Sequence, residues 1–104
     1  MVNRRVAVLA RVKAKQGMGE QVRRECLDLV APSRKDRGCI NYELHQSLED
    51  PTHFLFYENW ESREDLERHL EMPHSLRFDE RTEGMLDGPE EITFWEIISP
   101  GADR

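Results

Sequence analysis

The chain has 104 residues, of which 35% are charged, and a formal net charge of −6. That length suits one domain with a single core. The acidic balance, with no basic block interleaved with aromatics, excludes backbone-driven nucleic-acid binding, and no apolar stretch approaches the ~20 residues of a membrane span.

From the N-terminus, "RVAVLARVKAK" alternates, with Val6, Val8, Ala10 and Val12 on one face, and is read as a strand. Arg11 interrupts the apolar run and no small-residue cleavage site follows, which argues against a secretory signal. Gly17 ends the connection. From Met18 to Arg34 the apolar positions Met18, Val22, Cys26, Leu29 and Val30 make one helical stripe. Pro32 is expected to kink or fray the end of that helix, and Gly38 to stop it. "CINYELHQS" alternates Ile40, Tyr42 and Leu44 against Cys39, Asn41, Glu43 and His45. After the turn residues "EDP", "THFLFYENW" forms a third strand that is apolar on both parities.

Ser62 stands three residues before Asp65, a capping-box pattern. The helix it opens carries Leu66, His69 and Leu70 on one face. Pro73 interrupts, and a second helical piece is expected from about His74 towards Leu86. "DGP" turns the chain into a last strand, "EEITFWEIIS", again apolar on both parities. The order β-α-β-β-α-β predicts a single α+β domain over residues 1–104, a ferredoxin-like sandwich with an antiparallel sheet and its helices on one face. Helices cover only one side of such a sheet. The two-sided strands therefore call for a second copy against the other face, a homodimer.

Cys26 and Cys39 form neither a CxxC pair nor a disulfide framework, so they read as reduced structural thiols of a cytoplasmic protein. No dinucleotide fingerprint, P-loop, HExxH or G-x-S-x-G occurs. His69 and His74 lie five apart with Pro73 between them, unlike a zinc pair one turn apart on a helix, so no metal is expected. His69 faces the sheet, either as a core histidine or as a proton acceptor in an apolar pocket. His74 is expected to be a surface or capping residue. Trp60 fits the core or the aromatic wall of a flat substrate.

The stretch "RGCINYELHQSLEDPTHFLFYENWESREDLERHLEMPH", with "GC-I-x-Y", "E-x-W-E-S" and "L-E-x-H-L-x-x-P-H", resembles the antibiotic biosynthesis monooxygenase family; "VLARVKAKQG" and the closing "ISPG" fit as well. It is most similar to the small quinol monooxygenase-like members. The resemblance implies a dimeric α/β barrel that oxidises a quinol or other hydroxylated aromatic with molecular oxygen, without flavin, haem or metal. His45 matches a strand histidine of the polyketide branch and Trp60 its tryptophan, while the asparagine and tyrosine positions of that branch fall on Phe56 and Leu66. His69 matches the histidine of quinol-type members. The resemblance thus implies His69 or His45 as the base, with Trp60, Phe56, Leu66, Asn41 and Tyr42 as substrate contacts. Positions used by haem-degrading relatives hold Ala10, His69 and Asp79, which disfavours haem. Two alternatives stand beside oxidation: a non-catalytic binding or stress-response module, and isomerisation of a small phosphorylated dicarbonyl held by Arg77 and Arg81.

Overall fold

The computed structural model describes residues 5–99; Arg4 and the Pro100–Gly101 pair of the "ISPG" motif lie outside them. The elements run β1 (Val6–Lys13), α1 (Gly19–Arg34), β2 (Cys39–Gln46), β3 (His53–Trp60), α2 (Arg63–Leu70), α3 (Pro73–Thr82) and β4 (Glu91–Trp95). All strand pairings are antiparallel in the spatial order β2-β3-β1-β4. This is the ferredoxin-like α+β arrangement the patterning predicts. Among the described residues no helix is long and apolar enough to cross a membrane.

Alternation explains the core. Val8, Ala10 and Val12 on β1 turn towards the helices, and the register sets Phe54 and Phe56 of β3 opposite Val12 and Ala10. Val22, Cys26 and Leu29 from α1, Leu66 from α2 and Phe78 from α3 close over them as one cluster. Burial pushes the Cys26 thiol up to about 12 and that of Cys39 up to about 11. Neither is a thiolate at neutral pH, which suits structural cysteines.

Four local features differ from the simple patterns. Helix α1 continues through Pro32 to Arg34, because a proline in the last turn removes a single backbone bond. The N–H groups of Lys35 and Asp36 then close tightly onto the carbonyls of Pro32 and Ser33. Helix α3 stops at Thr82 rather than near Leu86, since Gly84 turns the chain at φ 85° and Leu86 bridges to Ala14. Strand β4 closes at Trp95, whose partner Ala7 is one residue from the start of β1. In β2, Ile40 is a bulge: Cys39 pairs with Trp60 but Asn41 with Asn59. The extra residue resets the alternation. Cys39 therefore packs on the core, and Ile40 joins Asn41 and Glu43 on the opposite face.

The connection from α1 to β2 is pressed against the start of α2. Gly38 adopts φ 83°, its carbonyl accepts the N–H of Glu61, and a Cβ at this position would collide with the Asp65 side chain. Asp65 is held in turn by the expected cap, its N–H donating to Ser62 Oγ at 3.1 Å. This close approach sets Asp36, two residues before Gly38, beside the second helix. Gly38→Ala is expected to destabilise the protein by roughly 1–3 kcal/mol, from the strained φ and the clash together; the midpoint of urea unfolding measures it, and an unchanged midpoint would contradict the packing described.

Candidate active site

Asp36 is the hub of a buried hydrogen-bonded triad. Its Oδ2 lies 2.8 Å from His69 Nδ1 and 2.7 Å from His74 Nε2. The Asp36 side chain is 6% exposed, His69 3% and His74 14%, so His74 is not the surface residue its position suggests. A carboxylate oxygen only accepts, so both ring nitrogens donate to it. His69 then carries its proton on Nδ1 and leaves Nε2 as a bare acceptor; among the described residues no group bonds that nitrogen. Its ring is held by Trp60 (centroids 4.7 Å apart) and by the edge contact of Tyr42 (5.5 Å). Ser75 ties α3 to the end of α2 by donating to the His69 carbonyl at 2.7 Å. Burial lowers the pKa of His69, outweighing the bond to and charge of Asp36, and His74 acts in the same direction as burial. The imidazole is therefore neutral at pH 7 and competent as a base.

His69 lines a cavity of about 240 Å³ between the helices and the sheet. Val8, Ala10, Leu66, Phe78 and Ile92 supply apolar wall, and Tyr42, Glu58, Asp79 and Glu90 supply polar groups. Of the candidates, the structure gathers His69, Tyr42 and Leu66 at the cavity. Trp60 and Phe56 stand behind it, Trp60 against His69 and Phe56 edge-on to Phe78. His45 and Asn41 are not brought there. Both project from the other face of the sheet, where the His45 side chain is 55% exposed beside Glu43 and Asn41 accepts from Asn59 at 2.8 Å. Arg77 and Arg81 line a separate groove with Glu25 and Asp28, and Arg81 lies 3.7 Å from Glu25. Among the described residues no lysine or arginine lines the cavity.

Glu58 and Glu90 belong to the site although sequence patterning did not select them. Glu58 is 4% exposed, and its Oε1 accepts the Trp60 indole N–H at 2.9 Å. Burial first, then the Glu90 charge, pushes Glu58 up to about 7 against the indole bond; burial and Asp79 push Glu90 up to about 7. A signal for Glu58 was present, since it occupies the helix-facing parity of β3 between Phe56 and Trp60. Asp36 and Glu90 lie in connections with no periodic pattern to mark them.

The triad also bears on metal binding, because Asp36, His69 and His74 offer three ligand atoms within 4.8 Å of one another. Their contacts of 2.7–2.8 Å are hydrogen-bond lengths. Ligands around a tetrahedral zinc, at bonds of about 2.0–2.1 Å, stand roughly 3.3 Å apart. The geometry is that of two N–H donors on one oxygen. A cation would have to displace both protons and spread the rings.

Comparison with known proteins fits this architecture. Residues 5–81 match the family described as Antibiotic biosynthesis monooxygenase. The crystal structure of PA3566 from Pseudomonas aeruginosa superposes with a TM-score of 0.89 at 33% identity, over 95% of this chain and 99% of that one. The protein sll1783 of Synechocystis is 29% identical over 92 residues, 88% of this chain, which spans only 63% of that relative's length. The protein named "Putative monooxygenase Rv0793" of Mycobacterium tuberculosis is 28% identical over 91% of this chain and 90% of its own length.

The buried Glu58 and half-buried Glu90 give stability a pH dependence opposite to that of the buried imidazole. Glu58 and Glu90, raised from 4.5 to about 7, favour the folded state fully below pH 4.5, and that contribution is lost as pH rises through 7. His69, lowered from 6.5, favours the folded state above that value and loses the contribution as pH falls. Glu58→Gln keeps an acceptor for the Trp60 indole but cannot ionise. Between pH 5 and pH 8 it should lose less stability than the wild type, by on the order of 2 kcal/mol. Urea unfolding at the two pH values measures this; parallel losses in both proteins would contradict a neutral buried acid at Glu58.

Proposed function

Because the chain belongs to the antibiotic biosynthesis monooxygenase family, we propose that it oxidises a single-ring quinol or other hydroxylated aromatic with molecular oxygen, without flavin, haem or metal. One observation carries the proposal: His69 lines a largely apolar cavity with its Nδ1–H fixed on buried Asp36, which leaves Nε2 as the nitrogen free to accept a proton. In a water-poor site the imidazole takes the phenolic proton, and Asp36 stabilises the imidazolium that results. Loss of that proton makes the ring electron-rich enough to reduce oxygen itself. In monooxygenation one oxygen atom joins a ring carbon, and the second leaves as water with the O–H and C–H hydrogens. In simple quinol oxidation two electrons and two protons pass to oxygen as hydrogen peroxide.

Size selects among aromatics. An apolar cavity of roughly 150 Å³ accepts benzene, so about 240 Å³ accommodates one substituted ring and not a porphyrin or a multi-ring polyketide. The apolar Phe56 and Leu66, where the polyketide branch has asparagine and tyrosine, agree with a different substrate. Isomerisation of a phosphorylated dicarbonyl loses its support, because Arg77 and Arg81 face the other groove.

A second copy of the chain covers the open sheet face in this account. Leu9, Leu55, Tyr57 and Trp95 point there; Tyr57 is 38% exposed and Trp95 56%. Light scattering should return a dimer mass at micromolar concentration, and Tyr57→Glu with Trp95→Glu should shift it to monomer. A wild-type monomer would refute the arrangement.

Oxygen consumption with a hydroquinone tests the chemistry. His69→Ala should lower the rate about 10²–10⁴-fold, the usual cost of losing an acid/base group. Asp36→Asn should lower it in the same direction, and His45→Ala should leave it within about twofold. The wild-type rate should rise with pH through a midpoint below 6.5 and then level off, because burial lowers the pKa of His69. Ligand binding with no uptake across a panel of quinols would reduce the protein to a binding module.

A further inference from the structure

We propose that the cavity selects aromatics bearing a protonated amine and discriminates against those bearing a carboxylate or phosphate. The inference rests on the cavity being the hydroxyarene site and adds which substituents that site accepts.

Three carboxyl groups, from Glu58 on β3, Asp79 on α3 and Glu90 before β4, line one small cavity that no lysine or arginine of the described residues enters. The one basic ring there, His69, already has its N–H committed to Asp36. The acids are poorly satisfied by the protein. Glu58 takes one bond, on Oε1 from Trp60, and among the described residues no group donates to the Asp79 or Glu90 carboxyls. Glu58 is buried and Glu90 half-buried, positions in which a structural carboxyl ordinarily finds donors, whereas Asp79 is exposed. Glu58 and Glu90 instead leave acceptor capacity beside the space a ligand would fill, with Asp79 on the same lining and an apolar wall suited to the ring.

Their electrostatics fit the same picture. Glu58 is raised by burial and by Glu90, and Glu90 by burial and by Asp79, so the acids sense one another across the cavity. The other titratable groups on the cavity lining are Tyr42 and His69, and the thiols of Cys39 and Cys26 sense Glu58 and Glu90 respectively. An entering ammonium group would favour the ionised acids and drive off protons they hold at neutral pH. An entering carboxylate would meet like charge with no cation to offset it.

Anaerobic calorimetry at pH 7 with tyramine, p-ethylphenol and p-hydroxyphenylacetate, which share one ring and differ at its substituent, tests the proposal without turnover. Tyramine should bind at least about tenfold more tightly than p-ethylphenol, and p-hydroxyphenylacetate most weakly. Tyramine binding should release protons, read as a dependence of the apparent enthalpy on the ionisation enthalpy of the buffer. Glu58→Gln and Glu90→Gln should each shrink the preference. Equal or tighter binding of the carboxylate, binding of none of the three, or a preference that survives in both variants would overturn the proposal; the wild-type order and proton release decide it even if a variant fails to fold. Amine-selective binding without oxygen uptake would sustain this selectivity and sink the oxidase assignment. Uptake with the reverse order would do the opposite.

Discussion

One carboxylate oxygen organises this protein's candidate site. Asp36 Oδ2 receives an N–H from each of two imidazoles, and that double acceptance fixes the tautomer of His69 and the direction of its free nitrogen. A buried carboxylate is costly unless hydrogen-bonded, and the two rings meet that need. Four segments converge to build the triad: the end of α1, the connection pinned by Gly38, α2, and the first turn of α3. Neither histidine alone would define a base. The shared acceptor does.

The fold explains how so small a chain keeps both a core and a cavity. Strand β1 pairs on both sides and fills its helix-facing surface with Val8, Ala10 and Val12. Small residues at Val8 and Ala10, opposite the short α2 and α3, leave room beneath the helices that larger side chains would occupy. Aromatic rings at Trp60, Tyr42 and Phe56 stiffen the wall around it. The cavity is thus largely apolar, with three acids and one neutral base on its lining. That combination suits proton removal from a hydroxyl on a flat ring and offers no grip for an anionic group.

Much of the scaffold could be read from the sequence because strands and helices announce themselves by period. The β1 alternation, the Ser62 cap and the two-sided β3 all correspond to observed elements. His69 could be placed on the inner face by its spacing from Leu66. What escaped depends on tertiary approach or on a one-residue irregularity. Nothing in "RKDRG" marks Asp36 as the partner of residues 33 and 38 positions away, and the Ile40 bulge reverses the faces of Cys39 and Ile40 without any local signal. The place of His74 at the start of the second helical piece suggested a surface or capping role, whereas its side chain is largely buried against Asp36. The break at Pro73 is what lets the second ring swing back to the same oxygen. Strand parity set His45 and Asn41 opposite Tyr42, and the structure places them on the face away from the helices, whereas the family resemblance had drawn them towards the site.

The most direct test of the account is the protonation state of the two nitrogens of His69, observed by long-range proton–nitrogen NMR on the neutral protein and assigned with His69→Gln. A proton on Nδ1, a bare Nε2 and a titration midpoint below the ordinary histidine value are expected. A proton on Nε2 at neutral pH, or a ring that is already an imidazolium there, would contradict it.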